Sequence, residues 1–180
     1  LEASLSYDET ATPQSAAEAF RILFEDSVGL RLVSDAEIGI FLSAGIDSNA
    51  ILAAAQSSSR SKGLYTYTLQ YASGHDESAL AREIATANGL PNETILFDKL
   101  EFHPAVSRMV DIFDQPFGNA TALVSDRIAQ QASHTCKVCL VGDGGDELAI
   151  GYPRYRAIEH FQTLSTLPRP LTRMLQNLAH

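Results

Sequence analysis

The chain has 180 residues, enough for one ordinary domain and too few for two full catalytic ones. Its 45% hydrophobic and 19% charged composition excludes a disordered polypeptide. With 13 basic against 22 acidic residues the net charge is −9, which argues against a nucleic-acid partner, because neutralising phosphates needs a basic face.

In chain order, residues 1–12 are polar, lack a period and read as a lead-in. From Pro13 a helix is predicted, with Ala17, Phe20, Leu23, Phe24, Val28 and Leu30 at helical spacing. Residues 37–42 form a short apolar run suited to a buried strand. Ser43-Ala44-Gly45-Ile46-Asp47-Ser48 breaks it, and a helix follows over 49–55 with Asp47 or Ser48 as its N-cap. A strand over 64–69 comes next, then His75-Asp76 introducing a helix over 77–88 that Gly89 and Pro91 stop. A third strand (93–97), helices over 104–113 and 122–133, and a fourth strand (137–141) complete the pattern. Leu167-Pro168-Arg169-Pro170 reads as a linker into a final amphipathic segment. Continuously apolar strands separated by helices predict an α/β fold with an open, doubly wound parallel sheet.

Ligands of such sheets bind outside the carboxyl ends of the strands, which points to two loops. One is the 43–48 segment; the other is Gly142-Asp143-Gly144-Gly145-Asp146-Glu147. Both put small residues before a helix, where unpaired amides favour an anion such as phosphate. Both also carry acids, and a carboxylate 4 Å from a phosphate charge costs about 1 kcal/mol in water and more in a cleft. A magnesium ion between carboxylate and phosphate resolves that conflict. A capped turn is the plain alternative for the first loop. No Gly-x-x-x-x-Gly-Lys-Ser/Thr sequence surrounds Lys62, Lys99 or Lys137, and Glu147 stands where a dinucleotide fingerprint needs glycine, so neither of those phosphate motifs applies.

These residues carry a resemblance. The 43–48 loop is similar to the Ser-Gly-Gly-x-Asp-Ser pyrophosphate loop of the N-type ATP pyrophosphatases. Gly142-Asp143-Gly144-Gly145-Asp146-Glu147-Leu148 with Gly151-Tyr152-Pro153-Arg154-Tyr155 resembles the second signature of the asparagine synthetase branch. Asp76-Glu77-Ser78 with Ala81, and Asp114-Gln115-Pro116-Phe117, match two more of its segments in order.

The resemblance implies a PP-loop nucleotide-binding domain over 13–163 and the start of a helical region over 164–180. It also implies an amide-forming ligase. A substrate carboxylate, aspartate by default, attacks the α-phosphate of ATP, and ammonia or an amine then displaces AMP. Ser43, Ala44, Gly45, Asp47 and Ser48 fall at pyrophosphate-binding positions, and Asp47 and Asp146 at those of Mg²⁺ ligands. Leu42, Leu69, Gly142 and Gly144 fall around the nucleotide. Asp143 stands where relatives handle the amine's proton, and Arg154 could reach a phosphate or carboxylate.

There are departures. Ala44 replaces a glycine, so a positive φ there would be strained, and Gln115 replaces a glutamate. The family's charge-stabilising C-terminal lysine has no counterpart after Lys137, nor is there the amino-terminal cysteine of a glutaminase half, a partner expected in a parent protein. The expectation is a fragment that binds Mg·ATP but turns over poorly, or a non-catalytic nucleotide-binding or regulatory module of the same fold.

Other features point elsewhere. No run reaches the roughly 18 apolar residues of a membrane span, and no signal segment opens the chain, so a cytoplasmic protein without a membrane partner is expected. Cys136 and Cys139 have redox or zinc half-site spacing but overlap a strand, and read as structural. Tyr65, Tyr67 and Tyr71 share a strand face and read as packing, with Tyr71 the candidate for stacking on adenine.

Overall fold

The computed structural model describes residues 10–59, 63–72, 76–98, 102–115, 117–149 and 151–155. The expected regions over 1–9 and 156–180, together with His75, Lys62, Lys99 and Pro116, lie outside them. Two compact units divide the chain, Leu1–Val141 and Gly142–His180.

In the first unit the elements are α1 (Pro13–Arg31), β1 (Ile38–Phe41), α2 (Ile46–Ser57), β2 (Leu64–Tyr71), α3 (Ser78–Ala87), β3 (Asn92–Phe97), α4 (Phe102–Phe113), α5 (Ala120–Ala132) and β4 (Val138–Leu140). The strands are all parallel, in the order β3-β2-β1-β4. Their side chains alternate between two cores. Ile38, Ile40 and Leu42 join Val28 of α1, Ile51, Leu52 and Ala55 of α2, and Ala81 and Ala85 of α3. Tyr67 and Ile95 join Ile128 and Ala132 of α5 on the other face. Helices therefore cover both faces, and the doubly wound α/β expectation holds. The chain steps from β1 out to β3 and returns beside β1 for β4, so the sheet's switch point lies between β1 and β4.

Local chemistry explains several boundaries. Thr12 and Ser15 form a reciprocal capping box with Pro13 at the first helical position. Gly89, at φ +66°, ends α3 in a Schellman turn: its N–H donates to Thr86 O and the Leu90 N–H to Ala85 O, both at 3.0 Å. Asp76 opens α3 by accepting from the Ser78 N–H (3.0 Å) and hydroxyl (3.1 Å). Those bonds, the backbone one foremost, hold its carboxyl below the ordinary 3.8. Because the folded pKa is depressed, the support Asp76 gives α3 is present above the unfolded value and is lost as pH falls through the lowered one. An NMR titration of the Asp76 side-chain carboxyl is expected to give a midpoint under 3.8; one at or above it contradicts the bonding.

Some expectations change. The periodic residues of α1 do not form one buried face: Val28 is buried and Phe24 packs on the core, whereas Phe20, Leu23 and Leu30 are 55%, 70% and 56% exposed. Tyr65 and Tyr67 pack as expected, and Tyr71 meets the Phe97 ring edge-on at 5.9 Å. Cys136 is buried 3.4 Å from the Tyr67 hydroxyl, and burial pushes the Cys139 thiol up to about 11, which fits packing residues rather than reactive thiols. Among the described residues no helix is long and apolar enough to cross a membrane.

Candidate functional site

The first unit carries the 43–48 loop at the carboxyl end of β1. Leu42, just past the strand, donates its N–H to Tyr67 O (2.8 Å), and its carbonyl accepts from the Thr68 hydroxyl (3.0 Å). The loop is then braced from inside. Ser43 N–H donates to Ser48 Oγ (3.2 Å), the two serine hydroxyls lie 3.0 Å apart, and Gly45 N–H donates to Ser43 Oγ (3.1 Å). Asn49 Nδ2 closes it by donating to Gly45 O at 2.7 Å and Ser43 O at 3.1 Å.

The expected N-cap is corrected. Helix α2 begins at Ile46, and its cap is Gly45, extended at φ −71° and ψ 154°, rather than Asp47 or Ser48. Ser48, in the first turn, turns its hydroxyl back onto the loop, so neither serine caps the helix. The Gly45 cap makes no side-chain hydrogen bond to the first turn of α2. A glycine cap gives up only a few tenths of a kcal/mol, roughly, against a side-chain cap, and it leaves the first amides of α2 open to an anion. Asp47 is exposed in that first turn.

Gly45 needs no positive φ, but a Cβ there would sit 3.1 Å from Ser43 Oγ and crowd the brace. Ala44 is not strained: among the described residues the non-glycine with positive φ is Asp114, at +56°. If the loop takes a phosphate, as the sequence leads one to expect, Ala44→Gly should change the affinity for Mg·ATP by no more than about twofold. It should lower stability by up to about 1 kcal/mol through added unfolded-state entropy. Calorimetric titration and a urea melt check both; a large gain in affinity would show that the alanine had been obstructing the loop.

The two leucines expected beside the nucleotide diverge. Leu42 is 2% exposed in the core under α1 to α3, whereas Leu69 is half-buried against the cluster under α5. In the Asp-Gln-Pro-Phe match, Asp114 takes the left-handed conformation and the Phe113 and Phe117 rings stack at 4.2 Å.

In the second unit, Gly142 O accepts from the Gly145 N–H at 3.3 Å, and Gly144 turns the chain at φ +93°, which favours glycine. The short helix α6 (Gly145–Ala149) follows. Gly151 N–H donates to Asp146 O at 2.9 Å, and a Cβ on Gly151 would collide with the Asp146 carboxylate. Thus one glycine supplies the bend and another the room for Asp146, which is half-buried while Asp143 is exposed. Tyr152 donates its hydroxyl to Glu147 Oε1 at 2.8 Å, holding that carboxyl below its usual range. The Arg154 guanidinium lies over the Tyr152 ring at 4.3 Å, a cation–π contact that holds it by its face and leaves its N–H edge for a ligand.

The sequence pattern does not single out Asn49 or Thr68. The signal available was slight: two threonines at alternate positions of an otherwise apolar and aromatic strand. Among the described residues no three His, Cys, Asp or Glu side chains gather as a metal cage. Exposed Asp47 instead suits the sparse protein ligation of Mg²⁺, which takes one or two carboxylates and completes its shell with water and phosphate oxygens.

Comparison with known proteins adds a family. A family model described as asparagine synthase matches residues 19–179. Asparagine synthetase [glutamine-hydrolyzing] 1 of Bacillus subtilis is 32% identical over 155 residues, covering 86% of this chain and 24% of its own length. The asparagine synthetase [glutamine-hydrolyzing] of Cricetulus griseus is 31% identical over 142 residues, covering 73% and 25%. The chain thus spans about a quarter of these relatives. Among solved structures, an NH3-dependent NAD synthetase from Campylobacter jejuni is similar at 12% identity and TM-score 0.44, over 89% of this chain and 91% of that one.

Proposed function

We propose, because this chain belongs to the asparagine synthase family, that it supplies the nucleotide-binding part of a carbon–nitrogen ligase that makes an amide at the expense of ATP. The observation that carries the reading is the braced, glycine-capped start of α2 beside the sheet's switch point. Preorganised donors of that kind hold a pyrophosphate group without reorganising as charge develops on it.

The residues take the following roles. The substrate carboxylate oxygen attacks the α-phosphorus of ATP, the bond to the β-phosphate oxygen breaks, and pyrophosphate leaves. Ser43, Ala44, Gly45 and Ser48, with the first amides of α2, hold that leaving group. Ammonia or an amine then attacks the acyl carbon and AMP departs, while Asp143 accepts the nitrogen's proton. Asp47 and, separately, Asp146 are each assigned to Mg²⁺, which when bound would screen phosphate charge from a neighbouring carboxylate. Leu69, Gly142 and Gly144 border the nucleotide, and Leu42 serves from the core as the anchor of the loop. Arg154 offers its guanidinium edge to a substrate carboxylate. Aspartate is the first acid to test, and a glutaminase domain the first ammonia source. The unstrained backbone of Ala44 removes one ground for a binding-only module.

Pyrophosphate release by the complete gene product, with Mg·ATP, ammonia and a panel of carboxylic acids, tests this. Release that needs both metal and one particular acid is the expected result. Tight Mg·ATP binding without release for any acid leaves the binding module, and no binding overturns the reading.

A further inference from the structure

The 43–48 loop is held not only by its own serines but by a line of hydrogen bonds that starts two strands away. Asn92, the first residue of β3, donates both protons of its side-chain amide into the sheet, to Thr66 Oγ1 at 2.9 Å and Thr68 Oγ1 at 2.8 Å. Both threonines are buried, at 1% and 2% exposure. A hydroxyl has one proton, and with the amide donating into its oxygen each threonine must aim that proton at another acceptor. Thr66 donates to Pro91 O at 2.8 Å, a bond internal to the sheet edge. Thr68 donates to Leu42 O at 3.0 Å. The Asn92 carbonyl oxygen accepts from the Thr94 hydroxyl at 3.2 Å, which sets which way the amide faces.

Leu42 O belongs to the peptide unit whose N–H is that of Ser43. That unit is planar, so its carbonyl and N–H point in opposite directions and turn together. The carbonyl is held by Thr68 and the N–H by Ser48 Oγ at 3.2 Å. The peptide that opens the loop is therefore clamped at both ends, one from the sheet interior and one from the first turn of α2. Rotating it would strip a buried carbonyl of its partner and carry Ser43, whose hydroxyl receives the Gly45 N–H, out of place.

We infer that Thr68 and Asn92 are positioning residues for the phosphate-binding loop, with Thr68 setting the plane of the Leu42–Ser43 peptide and Asn92 fixing where the Thr68 proton points. The inference rests on the proposed pyrophosphate role of the loop.

The test compares Thr68→Val, Thr68→Ser and Thr66→Val in the complete gene product. Thr66→Val is the matched control, because it removes the same hydroxyl from the same buried strand and from the same asparagine, yet deprives Pro91 rather than Leu42. Two quantities are read: the affinity for magnesium pyrophosphate by titration calorimetry, and amide hydrogen exchange over 43–48. Thr68→Val is expected to weaken binding and speed exchange at the Ser43 amide, each about tenfold, the worth of one buried hydrogen bond. Thr68→Ser should return both to within about twofold, and Thr66→Val should lower the urea midpoint without moving either. If Thr68→Val does not fold, Asn92→Asp takes its place: the added carboxylate oxygen competes with Leu42 O for the Thr68 proton, and the same two losses are expected. Unchanged exchange at Ser43, or equal losses in Thr66→Val, overturns the positioning role. An unsubstituted protein that binds no pyrophosphate, with its Ser43 amide still protected through Thr68, overturns instead the assignment of the loop to phosphate.

Discussion

Asp47→Asn and Asp146→Asn are each expected to lower magnesium-dependent pyrophosphate release by about 10²- to 10³-fold, with less effect at saturating metal. Asparagine keeps the shape of aspartate and discards the charge, and a hard cation held by only one or two carboxylates loses much of its protein attraction when either goes. Loss of an electrostatic group aimed at developing charge has an effect of that size. Stability should hardly change for Asp47, which is exposed and contributes to α2 only through its place in the first turn, about 0.3–1 kcal/mol from the helix dipole. The double variant sharpens the test. Losses that fall short of additive would show that the two carboxylates act on the same step. Additive losses would assign the two carboxylates to separate tasks, and undiminished release in either single variant would remove that residue from the metal.

The second large effect concerns the sheet beneath the loop. Gly39→Ala is expected to destabilise the protein by about 1–3 kcal/mol, the usual cost of overpacking a filled core. Alanine in a strand would ordinarily gain about 0.5–1 kcal/mol over glycine by reducing unfolded-state entropy. At Gly39 the added Cβ would meet Cys139 Sγ at 2.7 Å and the Tyr67 ring at 2.9 Å. Gly39 lies in β1 between Tyr65 of β2 and Cys139 of β4, so the backbone cannot move aside without breaking a ladder on one side or the other. Urea melts should show a lower midpoint with an unchanged slope. Adding Cys139→Ala should recover part of the loss by removing the nearer atom, while the Tyr67 ring keeps the rest in place. A stability equal to or above that of the unsubstituted protein would mean that the sheet opens at this point more readily than its packing implies.

Much of this architecture was legible in the amino-acid order because its causes are local. Short apolar, β-branched runs bounded by turn residues, such as Ile38-Gly39-Ile40-Phe41, suit buried strands, and Gly89 before Pro91 is a helix stop. The glycine-and-serine break after β1 likewise announces the turn from a strand into a helix. Ser43, Gly45 and Ser48 stand out through the loop's place after a strand and its resemblance to a known motif, and the same residues brace the loop. The cap falls at Gly45 rather than at Asp47 or Ser48, although propensity favours aspartate and serine there. Here Ser48 turns to the loop, leaving extended Gly45 to end the turn.

What the order of residues determined by itself is the alternation of strand and helix, the two glycine-and-acid bends, and the family to which the pattern conforms. What only the tertiary structure decided is which neighbours those residues meet: the strand order that sets β4 beside β1, the exposure of Phe20 and Leu23 on a helix whose spacing is regular throughout, and the reason Gly39 bears no side chain. The line from Asn92 through Thr68 to Leu42 is of the same kind, joining residues 24 and 26 positions apart in the chain. Periodicity and turn chemistry act over a few residues and are written in the sequence. A hydrogen bond or a close contact between strands depends on register, which exists only once the sheet has formed.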